Sequence, residues 1–325
     1  MTMRALTRRL PLLTIVAVLT TAAAGCGSSP ASSPASSGGA SSGAAGSAGG
    51  AFPTTVMAAD GAVHISKRPT AIISLSPTAT EMLYAIGAGH QVSAVDADSD
   101  YPPQAPRTKL SYFDPNLEGI VALKPDLVVT SNNSGSLAKR LTALSVPVLE
   151  LPAPASVSGV YAEFDQLGRA TGDLTQAERE VTSLRSQISQ IVAAVPHQSR
   201  PLTYYYELDQ TYYSVTSATF IGKLLGLLGL RSIADSAKGA AAAGGYPQLS
   251  AEYILKANPD YIILADTICC HQSLSTVRSR PGWAGLTAVK SGHVILLNDD
   301  IASRWGPRII DLLRVVLAAL RRGGQ

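Results

Sequence analysis

Two stretches of the 325-residue chain say nearly the same thing. Residues 118–129 read EGIVALKPDLVV, and residues 252–263, 134 positions further on, read EYILKANPDYII. Each sets a Glu, Glu118 or Glu252, at the start of a short apolar helical pattern that runs through Pro-Asp into a β-rich run. Asn116 and Ser250 are N-cap residue types, so each Glu falls in a first helical turn, where the helix dipole favours negative charge. Such a carboxylate either supports its own helix or meets a cation on a partner. A matched pair in two halves of one chain favours the partner, because two separated contacts also fix orientation.

Other residues with chemical potential are sparse. The five His, at 64, 90, 197, 271 and 293, are scattered, and only His64 and His271 suit a metal. No P-loop, G-x-S-x-G, H-E-x-x-H or dinucleotide fingerprint occurs, so the expectation is not an enzyme, with no catalytic residue and no metal site. Beyond Cys26, only the adjacent Cys269 and Cys270 remain. Outside the cytoplasm they form a vicinal disulfide, stay as thiols, or join His271 in a metal site that lacks a second ligand pair; these readings stay open.

The elements that must position the two Glu come in two alternating halves. In the first, Ala71–Leu75, Gln91–Val95, Asp126–Ser131 and Pro147–Leu151 read as strands. Helices are expected from Ser76 to Gly87, from Asn116 to Leu123 and over Ser136–Leu144. In the second, Leu202–Leu208, Tyr212–Thr216, Tyr261–Ala265 and His293–Leu297 read as strands. Phe220–Leu228, Ser250–Ala257 and Pro307 to Arg321 read as helices. Strand–helix alternation with β-branched runs predicts an α/β fold with mostly parallel sheets covered on both faces. Between the halves, Ala177, Val181, Leu184, Ile188, Ile191 and Val195 recur every three or four residues. From Leu174 to Val195 this helix would span about 33 Å, a strut more than a hinge.

The chain start reads as an export signal. Arg4, Arg8 and Arg9 precede an apolar run from Leu10 to Val18, then small residues up to Cys26. A low-complexity stretch without charge follows to Gly50, a tether with a reach of roughly 25–30 Å. The formal charge of +3 comes from residues 1–25, which hold three Arg and no acid. The rest is balanced, so no nucleic-acid partner is expected. The expected organisation is a signal peptide at 1–25, a tether at 26–60, an N-terminal α/β lobe at 61–172, a linking spine helix at 173–196 and a C-terminal α/β lobe at 197–325.

Residues 23–26 (AAGC) resemble a bacterial lipobox, which implies that Cys26 is lipidated and anchors an exported protein to the outer face of the cell membrane. With two α/β halves and one long linking helix, the chain resembles the substrate-binding proteins of ABC importers, in the class with a single helical spine. Members handle cobalamin, haem, ferric siderophores and, in a sister branch, Zn or Mn. The resemblance runs through most of Arg68 to Arg308. It rests on IISLSPTATE at 72–81, DYPP at 100–103, NLE at 116–118 with KPD at 124–126, YPQLS at 246–250 with Glu252, RPGW at 280–283, and GPR at 306–308. It implies two Rossmann-like lobes with a ligand cleft between them, and a monomer that takes up a small molecule and hands it to an importer permease with its ATPase. No cofactor is implied beyond the transported corrinoid or iron chelate. Glu118 and Glu252 stand where the family docks on permease Arg residues. Tyr112, Tyr213, Tyr246, Asp300 and Arg304 stand where ligand contacts are expected. Tyr stacks on a flat ligand and donates a hydrogen bond, and Arg suits an anionic edge. Where cobalamin binders usually carry Trp, this chain has Tyr112 and Tyr246, which keeps siderophore and haem open beside corrinoid. A metal-ion binder, or a cell-surface enzyme or binding domain outside transport, is the alternative.

Overall fold

The computed structural model describes residues 52–132 and 136–323. The signal segment, Cys26 and the tether up to residue 51 lie outside the described residues. The tether does not extend to residue 60 as expected. β1 (Thr54–Ala58) pairs antiparallel with β2 (Gly61–Ile65) across a two-residue turn, which Gly61 leaves at φ +135°. That backbone angle favours glycine.

The N-terminal lobe is built on β3 (Ile72–Leu75). It lies between β4 (Val92–Val95) and β5 (Leu127–Thr130), with β6 (Val148–Glu150) outside β5, and every pairing is parallel. Helices α1 (Pro77–Ala85), α2 (Leu117–Ala122) and α3 (Leu137–Thr142) connect these strands. Then come α4 (Val157–Thr171) and the spine, α5 (Leu174–Ala193). The C-terminal lobe repeats the plan. β7 (Leu202–Glu207) lies between β8 (Leu230–Ser232) and β9 (Tyr261–Leu264), with β10 (Val294–Leu296) outside β9, again all parallel. Its helices are α6 (Phe220–Gly226), α7 (Ala251–Ala257), α8 (Leu274–Ser279), α9 (Thr287–Lys290), α10 (Asp299–Ser303) and α11 (Ile309–Gly323). The protein thus has two parallel-sheet α/β lobes with one strand order, β7 standing for β3 and β9 for β5. The central strands β3, β5 and β9 are buried at every position, as sheets covered on both faces require.

The shared order explains the repeated Pro-Asp. After α2, Lys124 turns at φ +51°, and Asp126 accepts from the Thr70 and Ala71 amides at 2.9 Å, just before β3. After α7, Asn258 turns at φ +45°, and Asp260 accepts from the Thr203 amide at 2.7 Å in β7. Each Asp ties a strand to its central neighbour, so both copies of the motif serve the sheet as well as the helix that precedes it.

The spine buries Ala177, Leu184, Ile188 and Ile191, the face that the periodicity marked. It packs against α4 on one side and α11 on the other, where Arg314 donates to the Gln187 side-chain oxygen at 2.8 Å. The strand expected over Tyr212–Thr216 does not form. Asp209 accepts from the Thr211 amide, Tyr212 turns at φ +69°, and only a single bridge links Tyr213 to Gln248. The strand it follows, β7, already has β8 and β9 on its two edges, so the segment cannot pair back on it.

Candidate functional site

In both lobes the strands run the same way within each sheet, and loops leaving their carboxyl ends face across the interlobe space. That is the usual ligand position in open α/β sheets. Ser76, Pro77 and Thr78 follow β3, Asp98 follows β4, and Ser131 follows β5. Together with Tyr112 and Phe113 they form the N-terminal wall of a cleft of ≈ 300 Å³. Asp300, Ser303, Arg304 and Trp305, on and just after α10, form the other wall. Three of the five expected ligand residues, Tyr112, Asp300 and Arg304, therefore meet in one cavity. Tyr213 and Tyr246 stand outside it, on the C-terminal lobe, 42% and 44% exposed.

Tyr112 packs against Phe113, ring centroids 3.8 Å apart, and Phe113 is 69% exposed at the cleft. Sequence reading missed Phe113, although its place beside Tyr112 and ahead of the Asn-Leu-Glu motif was a usable signal. Burial, followed by the Asp98 and Asp96 charges, pushes the Tyr112 phenol up, and burial pushes Tyr246 up. Both hydroxyls therefore stay protonated and able to donate.

Arg304 departs from the expected role. Its guanidinium donates to Glu81 at 3.0 Å, to Asp100 at 2.9 Å, to the Asp98 carbonyl at 3.0 Å and to Asp300 at 2.7 Å. Three of these acceptors belong to the opposite lobe. Arg308 also reaches Glu81, through Nε at 2.9 Å, and lies over the Tyr101 ring at 4.3 Å. Glu81, on α1, is fully buried between the two cations. Arg304, the side chain expected to meet an anionic edge of the ligand, thus also forms a clasp between lobes, with these donors paired to protein. Burial pushes Asp100 up, but the hydrogen bond and charge of Arg304 outweigh it and hold the carboxyl low. For Asp300 burial prevails over Arg304, and the carboxyl is raised.

A second contact crosses beside the clasp. Trp305 Nε1 donates to Glu163 on α4 at 2.9 Å, and burial pushes the Glu163 carboxyl up to about 8 despite that bond. A carboxyl raised on folding binds its proton more tightly in the native state. Its contribution is present at about pH 5 and is lost as pH rises towards 8. Melting measured across that range should therefore show Glu163→Gln gaining several degrees over the parent at pH 8 and little at pH 5. An equal gain at both pH values would show that the carboxyl does not titrate there.

The repeated Glu sit as expected. The Asn116 side chain accepts from the Gly119 amide at the start of α2, the Ser250 hydroxyl accepts from the Tyr253 amide at the start of α7, and Glu118 and Glu252 are exposed in those first turns. The Glu252 backbone N–H and the Ser250 side chain hold the Glu252 carboxyl low. Cys269 and Cys270 form a disulfide, which resolves the readings left open. His64 lies on β2 and His271 follows the disulfide, and neither lines the cleft.

The periplasmic binding protein family model matches residues 72–301, from the first lobe strand to α10. The chain belongs to this family. It is 31% identical over 271 residues to an ABC transporter substrate-binding lipoprotein of Bacillus subtilis, covering 80% of this chain and 83% of that one. It is 32% identical over 252 residues to the vitamin B12-binding protein of Pectobacterium atrosepticum, covering 74% and 85%. A solved structure of a possible iron-binding periplasmic solute-binding protein from Staphylococcus epidermidis superposes with a TM-score of 0.67 at 26% identity, over 78% of this chain and 99% of that one. Family members of this kind bind solutes and are not enzymes. Among the described residues no helix is long and apolar enough to cross a membrane.

Proposed function

We infer that the protein captures a corrinoid or an iron chelate between its lobes and delivers it to an ABC importer. The observation that carries this reading is the interlobe cleft, where Tyr112 and the exposed Phe113 offer an aromatic wall opposite the acidic Asp300. An aromatic wall with hydroxyl and carboxylate groups at its edge suits a flat, amide- or chelate-rimmed ligand. Vitamin B12-binding relatives at about a third identity support the corrinoid arm. Tyr213 and Tyr246, exposed on the C-terminal lobe, extend the contact beyond the cavity, while Arg304 holds the wall in place. Glu118 and Glu252, at matching helix starts, are the docking points for permease Arg residues.

Titration of the purified protein with cyanocobalamin, haemin and a ferric catecholate, followed by absorbance and fluorescence, tests the ligand class. Micromolar or tighter binding of one of them is expected, and binding of none would overturn the reading. We also propose that Cys26 carries the anchor that keeps the protein beside its importer. Cys26→Ser should move the protein from the membrane to the aqueous fraction with its ligand affinity intact. A variant that stays in the membrane fraction would refute the anchor.

A further inference from the structure

Among the described residues, the C-terminal lobe lines the cleft through one segment alone, the residues on and after α10. In the N-terminal lobe, the segment that leaves β5 lines the cleft at Ser131. The lobes share a strand order, so the segment that leaves β9 occupies the corresponding place in the other lobe. That segment carries the Cys269–Cys270 disulfide.

The loop is clamped on both flanks. Thr267 Oγ1 donates to the Leu297 carbonyl at 2.6 Å, and the amides of Ile268 and Cys269 donate to the Asp299 carboxylate at 2.9 and 2.7 Å. Asp299 opens α10, and the next residue, Asp300, lines the cleft. On the far flank, Gln272 donates to the Cys270 carbonyl at 3.2 Å and accepts from Arg280 at 2.8 Å. Arg280 in turn holds Glu207 at the end of β7. What this framework presents is apolar. Ile268 is 61% exposed, Cys269 is exposed and Cys270 is half-buried. An exposed aliphatic chain beside a disulfide is thus fixed at the carboxyl end of a sheet and tied, through Asp299, to the helix whose next residue lines the cleft.

We propose that Ile268 and the Cys269–Cys270 disulfide form a ledge that extends the C-terminal wall of the cleft and packs on the flat face of a conjugated macrocycle or aromatic chelate. The proposal rests on the solute-binding reading above. Two sulfurs joined within adjacent residues cannot rotate apart, and sulfur is polarizable, so the pair offers a rigid apolar surface suited to a π face. Reduction opens the ring into two thiols with independent rotamers and removes that surface, while the Asp299 and Gln272 clamps remain.

The test compares the parent, Ile268→Ser and the double variant Cys269→Ser/Cys270→Ser, titrated with cyanocobalamin, haemin and a ferric catecholate. Each variant should weaken the probe that the parent binds by about three- to ten-fold, with melting unchanged within about 2 °C. Bound probe should also slow cleavage of the parent's disulfide by a phosphine reductant, read by thiol trapping. This protection is one that a purely structural disulfide would not gain from ligand. If the parent binds a probe but both variants bind it equally and the disulfide is cleaved at the same rate, the ledge is refuted and the solute-binding reading stands. If the parent binds none of the probes, both fall together.

Discussion

Replacing Glu81 with Gln should lower the melting temperature by about 10 °C. The carboxylate is fully buried on α1 and is shared by Arg304 and Arg308, which reach it from the other lobe. Removing one partner of a buried charge pair leaves a desolvated charge behind, here chiefly that of Arg308, at a cost of about 3–5 kcal/mol. In a chain of this size each kcal/mol moves the midpoint by roughly 2–4 °C. Arg304 would keep Asp100 and Asp300, whereas Arg308 would keep the Tyr101 ring. Asp100→Asn is the matched control. Its carboxylate touches the same Arg304 but is 43% exposed, so its loss should cost no more than about 1 kcal/mol. Calorimetry on the two variants decides. If Glu81→Gln melts within 2–3 °C of the parent, or no lower than Asp100→Asn, the clasp is not what holds the lobes together. Scattering adds a second readout, since lobes freed of the clasp should show a larger radius of gyration, while ligand binding to the parent should leave it nearly unchanged, as a rigid spine requires.

The clasp also shows where sequence reading stops. Arg304 and Asp300 could be picked out together because they match the positions of a ligand-contacting polar pair in the family that the chain resembles. Glu81, Asp98 and Asp100 lie more than two hundred residues away in the chain, and no local pattern announces that a guanidinium will fold onto them. Helix and strand identities fared better where a period was long or a punctuating residue stood at the end. The spine repeated its apolar face over five turns, and α2 and α7 each opened on a cap and closed before Pro. α4 was missed although Val160, Phe164 and Leu167 recur at helical spacing and Gly172 terminates it at φ +80°. Its small and polar residues dilute that stripe. The three buried Tyr of β7, Tyr204, Tyr205 and Tyr206, show why counting Tyr could not find the cleft, since aromatic composition divides between core and ligand wall only once the sheet is folded.

Losing both Glu118 and Glu252 should nearly abolish uptake without touching ligand affinity. Each sits exposed in the first turn of a capped helix, and the two helices hold equivalent places in lobes of one strand order. The lobes are clasped to each other and braced by α5, so the two carboxylates stand on one body at a fixed separation. Two contacts on one rigid body reinforce each other, because the first makes the second effectively intramolecular. Glu118→Ala and Glu252→Ala should therefore each lower uptake about three- to ten-fold, and the double variant about fifty-fold or more. Raised salt should reproduce part of the loss in the parent, since exposed charge pairs are screened. Binding of the cognate ligand should be the same in all four proteins, as neither side chain lines the cleft. Uptake measured in vesicles with the cognate permease and ATPase provides the comparison. A double variant that transports as the parent does would reduce the repeated Glu to first-turn helix charges, and the docking surface would have to be sought elsewhere on the lobes.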